Sequence, residues 1–302
     1  MKSLRARILI NAAARESFDE GMRRRLEEIF AAAGARADIT VAPTPDDVGR
    51  LAQAAAAEDY DLVVAGGGDG TVNLVASALV GTGKQMGVLP LGTLNHFARD
   101  LNIPLDFDPA VENLLSGSPL EVDVGEVNGR IFVNNSSLGL YPTIVHEREK
   151  RQRLGSGKWP AFVWAAILAL RRYPFVSVLV SVDGKDLTTR TPFVFIGNNE
   201  YVMELFNIGR RERLDGGELS LYMTKQMGRL GLLRLALRAL VGRLREDKDF
   251  FATRSRALTI DVRSRARVAR DGEVEVLETR LEYRVKARAL RVVVPMAKRS
   301  ED

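Results

Sequence analysis

Leu62-Val63-Val64-Ala65-Gly66-Gly67-Gly68-Asp69-Gly70-Thr71-Val72-Asn73 carries four apolar residues straight into four glycines interrupted by one aspartate. A short apolar run reads as a buried strand, and the helical pattern beginning at Thr71 reads as a helix start after a tight loop. Glycines let backbone N–H groups approach an anion that a Cβ would hold away. A helix start adds unpaired N–H groups and a partial positive charge. The stretch therefore predicts a phosphate cradle at the end of a strand; its bland reading is a flexible turn, which the flanking strand and helix disfavour. Asp69 stands out, because a carboxylate repels phosphates unless a metal or a proton intervenes, and Mg²⁺ suits that place. Two familiar loops do not fit. The dinucleotide pattern G-x-G-x-x-G would need glycine at Thr71 or Asn73, and the P-loop fails because Gly83-Lys84 is followed by Gln85.

Around this loop, strand and helix patterns alternate with short links. Arg7–Asn11 reads as a first strand, and Ser17-Phe18-Asp19-Glu20 as a capping box opening a helix through Met22, Leu26, Ile29 and Phe30. Ala37–Val41 is a second strand. Thr44-Pro45-Asp46-Asp47 is an N-cap with proline at N1 and an acid at N3. Val72–Val80 is a helix ended by Gly81, and Met86–Leu89 a fourth strand. This alternation predicts an α/β domain with a doubly wound parallel sheet, its ligand at the carboxyl ends of the strands, where Asn11, Gly66–Asn73 and Pro90–Asn95 fall. Near residue 120 the pattern changes to short strands with turn signals. Asn128-Gly129 and Asp183-Gly184 are type I′ hairpin turns, and the second half reads as an antiparallel β-sandwich. The expected domains are 1–121 and 122–302, with the last residues either closing the sandwich or returning to the first domain.

Composition narrows the class. The 302 residues are 46% hydrophobic and 27% charged, as in an ordinary globular protein with room for two cores. With no cysteine there are no disulfides, no cysteine-bound metal and no thiol nucleophile, in keeping with a reducing, cytoplasmic setting. Met1–Arg5 lacks a signal-peptide core, and no apolar run reaches the ~18 residues of a membrane span. His96 and His146 are the only histidines, which disfavours a His-rich zinc site. A net charge of +5 and a pI near 9.5 favour anionic partners such as nucleotide or an acidic lipid surface. Nucleic acid is set aside, since no recognition motif or aromatic interleaving accompanies the charge.

A second motif follows the fourth strand: Pro90-Leu91-Gly92-Thr93-Leu94-Asn95-His96-Phe97-Ala98-Arg99. Pro90 and Gly92 set a turn. Thr93 and Asn95 put short polar side chains at a new helix start, where capping is their simplest role. Together, Gly-Gly-Asp-Gly-Thr and Pro-Leu-Gly-Thr-x-Asn-x-Phe-Ala-Arg resemble the diacylglycerol kinase catalytic domain, most of all that of soluble bacterial lipid kinases. NAD kinases share the first motif and carry a different second one. The resemblance spans nearly the whole chain, because that family also pairs an α/β domain with a β-sandwich.

What it implies is an ATP- and Mg²⁺-dependent phosphotransfer to the hydroxyl of diacylglycerol or a related lipid. A kinase acting on NAD or another non-lipid acceptor, or a catalytically weak lipid or nucleotide binder, are the alternatives. By resemblance, ATP phosphates are held by Gly67, Gly68, Gly70, Thr71 and Asn73, with Gly92, Thr93 and Asn95 in the second loop and Asn11 after the first strand. Thr44 matches an early threonine near the nucleotide; capping explains it equally well. Asp69 serves the magnesium network, and Asp123 matches an acid linked to it, although a solvated strand-end acid is an even alternative. Arg270-Asp271-Gly272-Glu273 is by itself a hairpin turn. The resemblance makes Glu273 the general base, with Asp271 orienting the site or binding metal.

Some positions depart from the family. Asn11 is followed by Ala12 where proline is usual, which implies a loop set differently there. His96 stands where many members have aspartate, weakening or retuning the metal network. Gly216 in Leu214-Asp215-Gly216-Gly217 replaces the second acid of an Asp-Asp-Gly run that binds a structural metal, leaving Asp215 to shift in.

Two helical insertions suit a lipid entrance at a membrane surface. Arg229 to Arg245 has a leucine stripe with Arg234, Arg238 and Arg245 off it, and Trp159 to Arg172 is aromatic with basic flanks. Docking on the sandwich is the competing role for the leucine stripe. These features imply peripheral contact at the inner membrane face, and an exposed sandwich edge is able to pair with a second copy as a homodimer.

Overall fold

The computed structural model describes residues 3–12, 14, 18–139, 175–202, 210–224, 250–263 and 265–296. Its first elements are β1 (Arg5–Asn11), α1 (Glu20–Ala32), β2 (Arg36–Ala42), α2 (Pro45–Ala57), β3 (Leu62–Gly67), α3 (Asp69–Leu79), β4 (Gln85–Pro90), α4 (His96–Asp100), α5 (Phe107–Ser116) and β5 (Ser118–Val127). Strands then prevail: β6 (Arg130–Phe132), β7 (Asn135–Gly139), β8 (Val176–Val182), β9 (Lys185–Thr191), β10 (Phe193–Asn198), β11 (Leu219–Thr224), β12 (Phe250–Ser255), β13 (Ala257–Val262), β14 (Ala266–Arg270), β15 (Glu273–Leu277) and β16 (Leu281–Val294). The chain divides into two compact units, one of Met1–Val124 with Ala287–Asp302 and the other of Gly125–Lys286.

In the first unit the strands run in the order β2-β1-β3-β4, all parallel, and the end of β16 joins β4 in parallel as well, Arg291 opposite Gln85. Every residue of β3 is buried, which is why its sequence shows no alternation. Leu26 and Phe30 of α1 and Ala110, Val111 and Leu114 of α5 cover one face together with Ile8, Ile10, Leu62 and Val64. Helices α2 and α3 bury Val48, Ala52, Ala55, Val72, Val75 and Leu79, and touch where Gly49 admits Leu74. The doubly wound reading holds.

Helix starts follow local chemistry. Thr44 caps α2, its side chain accepting from the Asp47 N–H, with Pro45 at the first position as expected. For α1 the cap is Asp19, whose Oδ1 accepts from the Met22 N–H at 2.8 Å. This differs from the capping box expected at Ser17, because a carboxylate nearer the first turn is the stronger acceptor for those orphan donors.

In the second unit, among the described residues, β12-β11-β10-β7-β14-β15 form one antiparallel sheet, and β16-β13-β8-β9 run antiparallel in the other. Leu138, Val194, Ile196, Leu221 and Val268 from the first pack with Val178, Val180, Ile260, Leu281 and Tyr283 from the second, which is the core of a sandwich. The pairs Asn128-Gly129, Asp183-Gly184 and Asp271-Gly272 all carry positive φ at both residues, as type I′ turns demand. The helical insertions expected at Trp159 to Arg172 and Arg229 to Arg245 lie outside the described residues.

Candidate active site

The order β2-β1-β3 reverses direction between β1 and β3, and an open α/β sheet has its crevice outside the carboxyl ends of such strands. Asn11 ends β1 and Gly67 ends β3. Gly68 is the N-cap of α3, and having no side chain it makes no side-chain cap hydrogen bond to the first turn. Asn11 Nδ2 donates to Thr71 Oγ1 at 3.2 Å, tying the end of β1 to the first turn of α3.

The second loop is latched to the first. Leu91 N–H donates to the Gly67 carbonyl at 3.1 Å. Asp69 reaches across to α4: its Oδ2 accepts from the His96 N–H at 3.2 Å and its Oδ1 from the Phe97 N–H at 3.1 Å. The acid of the glycine loop is thus the N-terminal cap of the helix that follows the other loop. Asn95 occupies the cap position of α4 but makes no cap bond. Its left-handed backbone turns the side chain back to Gly92, accepting from that N–H at 3.1 Å and donating to that carbonyl at 2.8 Å.

The glycines have internal duties as well. A Cβ on Gly92 would lie 2.4 Å from Gly68 Cα, and one on Gly67 would lie 2.4 Å from Thr71 Oγ1. The loops therefore touch backbone to backbone, a packing reason for glycine beyond access to an anion. Thr93 is exposed, Asn73 Oδ1 accepts from Ser77 Oγ at 3.4 Å, and Thr44 Oγ1 donates to Asp47 Oδ2 at 2.8 Å. That hydroxyl bond, followed by the Arg50 guanidinium, holds the Asp47 carboxyl below its usual range.

The remaining acids have separate settings. Asp123 is wholly buried, unlike a solvated strand-end acid, and its Oδ1 accepts from the Arg288 N–H at 2.8 Å. Asp215 Oδ1 accepts from Arg213 Nε at 3.0 Å. Gly216 N–H donates to Asn199 Oδ1 at 2.9 Å, and a Cβ there would come within 2.7 Å of that oxygen.

Among the described residues no three His, Cys, Asp or Glu side chains gather as a metal site. This donor set still fits Mg²⁺ in its usual nucleotide setting, where phosphate oxygens and water supply most ligands and one or two carboxylates suffice. Asp69 suits that role as a carboxylate at the start of α3, beside the second loop. The α3 N-terminus, opened by the Gly68 cap, fits a triphosphate.

In the second unit Arg270 pairs with Glu273 across the β14–β15 hairpin. At the turn, the Asp271 carboxylate accepts from three successive N–H groups: Val133 at 2.8 Å, Asn134 at 2.8 Å and Asn135 at 3.0 Å. The Asp271 N–H in turn donates to the Asn135 carbonyl at 2.9 Å. Glu273 is exposed, and its carboxylate has no hydrogen bond or ion pair to a described residue. Behind the 133–135 segment lies Arg211, only 1% exposed. Elsewhere in this unit Glu200, Tyr222, Phe250, Ala252, Thr253 and Arg254 line a cavity of about 340 Å³.

Sequence reasoning brought Asn11, Thr71, Asp69, Gly92 and Asn95 to one sheet edge, and the structure places them there. It missed Asn134, Asn198 and Arg211. Asn134-Asn135 and Asn198-Asn199, amide doublets at strand ends, were a usable signal for the first two. Arg211 sits in the run Arg210-Arg211-Glu212-Arg213, which reads as a solvated charge cluster.

Residues 5–127 match the diacylglycerol kinase catalytic domain family, and residues 141–294 match the YegS C-terminal NAD kinase beta sandwich-like domain. The chain is 26% identical over 273 residues to a diacylglycerol kinase of Bacillus subtilis (strain 168), covering 89% of each. It is 26% identical over 227 residues to that of Staphylococcus carnosus (strain TM300), covering 74% of this chain and 73% of the relative. A crystal structure of a putative diacylglycerol kinase from Bacillus anthracis str. Sterne superposes with a TM-score of 0.78 at 22% identity, over 98% of this chain and 99% of that one, a likeness of fold.

Proposed function

Because the chain belongs to the diacylglycerol kinase family, in its form with a YegS-type C-terminal sandwich, we propose that it transfers the γ-phosphate of ATP to the hydroxyl of diacylglycerol or a related lipid. Support comes chiefly from the α3 N-terminus, which begins at a glycine cap and which Asp69 locks against the second loop at the sheet's switch point. Gly67, Gly68, Gly70, Thr71 and Asn73 hold the phosphates, with Gly92, Thr93 and Asn95 shaping the second wall and Asn11 and Thr44 beside the nucleotide. Mg²⁺, when bound, neutralises charge on the phosphate oxygens, and Asp69 helps to hold it. Glu273 takes the proton of the lipid hydroxyl as that oxygen attacks the γ-phosphorus and the bond to ADP breaks. An exposed carboxylate is free to meet an incoming hydroxyl. The cavity lined by Tyr222 and Phe250 is the candidate for part of the acceptor site.

No helix among the described residues is long and apolar enough to cross a membrane. In this reading the protein meets its lipid as a peripheral visitor to the cytoplasmic face, a contact that its net charge of +5 favours.

The test is transfer from labelled ATP to vesicles containing diacylglycerol, monoacylglycerol, a sphingoid base or phosphatidylglycerol. Mg²⁺-dependent labelling of one lipid is expected, with Glu273→Gln slower by about 10²–10⁴-fold. Labelling of none overturns the proposal. The NAD kinase-like description of the C-terminal domain favours a second reading, and phosphorylation of NAD without lipid would select it.

A further inference from the structure

The buried guanidinium of Arg211 is the largest fully buried side chain among the described residues. Burying such a charge is costly unless its donors are satisfied and its charge is answered. Nη1 donates to the Val133 carbonyl at 2.7 Å and to the Asn198 carbonyl at 3.1 Å, and Nη2 donates to Asn134 Oδ1 at 2.6 Å. The guanidinium also lies over the Tyr201 ring, 5.5 Å from its centroid. The Val133 carbonyl and the Asn134 N–H belong to one peptide group, and that N–H donates to Asp271 Oδ1 at 2.8 Å.

A single peptide therefore stands between a cation at its oxygen end and a carboxylate at its hydrogen end. The peptide dipole is aligned with both, so each hydrogen bond polarises and strengthens the other. Asn198 reinforces the arrangement, its Nδ2 donating to the Val133 carbonyl at 3.0 Å and its N–H to the Asn134 carbonyl at 2.9 Å. On the other side, Asp271 begins the two-residue turn that ends at Glu273. The Glu273 carboxylate has no partner of its own among the described residues, so its direction is set by that turn.

We infer that Arg211 is a positioning residue: acting through the peptide between Val133 and Asn134, it fixes Asp271 and thereby the turn that presents Glu273. This rests on the reading of Glu273 as the base. Arg211→Lys keeps the charge and loses the planar fork; Asn134→Ala removes one acceptor and keeps the guanidinium. Both are assayed for kcat and for KM toward ATP, with circular dichroism confirming the fold, and each is repeated in a Glu273→Gln background. In the parent background kcat is expected to fall about tenfold with KM for ATP within about twofold, because a misplaced base costs turnover and leaves nucleotide binding intact. On Glu273→Gln, the same change is expected to cost less than about twofold, since the group it positions is already disabled.

Parent-level kcat in folded Arg211→Lys and Asn134→Ala overturns the inference, and so does an equal loss in both backgrounds, the mark of a general structural role. If Arg211→Lys fails to fold, Asn134→Ala decides alone. Glu273→Gln at the parent rate removes the base and this inference with it. A slow Glu273→Gln beside a parent-rate Asn134→Ala removes the Arg211 role alone.

Discussion

Replacing Gly92 by alanine tests whether the two loops of the first unit are packed backbone to backbone. The new methyl would lie 2.4 Å from Gly68 Cα, 3.1 Å from Gly68 N and 2.8 Å from Asn95 Oδ1. Carbon atoms rest comfortably at about 3.5 Å or more, so the loops must part by about 1 Å, and no flexible side-chain end is there to yield on the Gly68 side. That movement is enough to break the latch, because the Leu91 to Gly67 bond is already 3.1 Å and the Asp69 bonds to His96 and Phe97 are 3.2 and 3.1 Å. Overpacking and weakened bonds together predict a loss of about 2–4 kcal/mol. Thermal denaturation followed by circular dichroism should show a fall of about 5–10 °C without any ligand. Gly68→Ala is the control on the other side of the same contact. Its methyl would sit 3.4 Å from Gly92 Cα, and Gly68 has an ordinary φ of −90°, so its stability should stay within about 0.5 kcal/mol of the parent. Calorimetric titration with a non-hydrolysable ATP analogue and Mg²⁺ then separates packing from ligand access. Gly68→Ala should weaken binding while melting normally, and Gly92→Ala should do both. Equal melting temperatures for the two variants would refute the packing account.

Further outcomes follow from the same contacts. Asp69→Ala leaves the His96 and Phe97 N–H groups without their cap and should cost about 1–2 kcal/mol in urea denaturation, with faster hydrogen exchange at those two amides. Asp271→Ala orphans three N–H groups at 133–135 and should cost about 2–4 kcal/mol by the same measurement, more than Glu273→Ala, whose carboxylate has no such partners. Burial raises the Glu126 carboxyl, but hydrogen bonds and charge from Lys286 and Arg284 outweigh it and hold the group below its usual range. A depressed folded value means the stabilisation is present above the unfolded value and is lost as pH falls through the folded one. Glu126→Gln should therefore be less stable at neutral pH by about 1 kcal/mol, a small figure because Arg284 stays largely hydrated. The gap should close in melts taken at progressively acidic pH; a pH-independent gap would contradict this assignment.

What could be read directly from the residues was whatever their immediate neighbours decide. Leu62–Ala65 into Gly66–Gly70 meant a buried strand and a helix start. Thr44-Pro45 meant a cap, and Asn128-Gly129, Asp183-Gly184 and Asp271-Gly272 meant type I′ turns, because these preferences are settled within three or four residues of chain. The α/β domain followed by the sandwich was legible for the same reason, as a change of period. Partners were a different matter. The sequence marks Asp69 as an anomalous acid, but only the β3–β4 register delivers the His96 and Phe97 N–H groups to it. Asp123 reads equally well as a solvated acid until β16 covers it at Arg288. Asp271 looks like a turn residue, and its clamp on a segment more than a hundred positions earlier exists because β7 and β14 pair side by side. Arg211, inside a charged run, gives no sign of burial. A side chain's chemistry is local, whereas the donor or acceptor that satisfies it is set by which distant backbone the sheets bring within hydrogen-bonding reach.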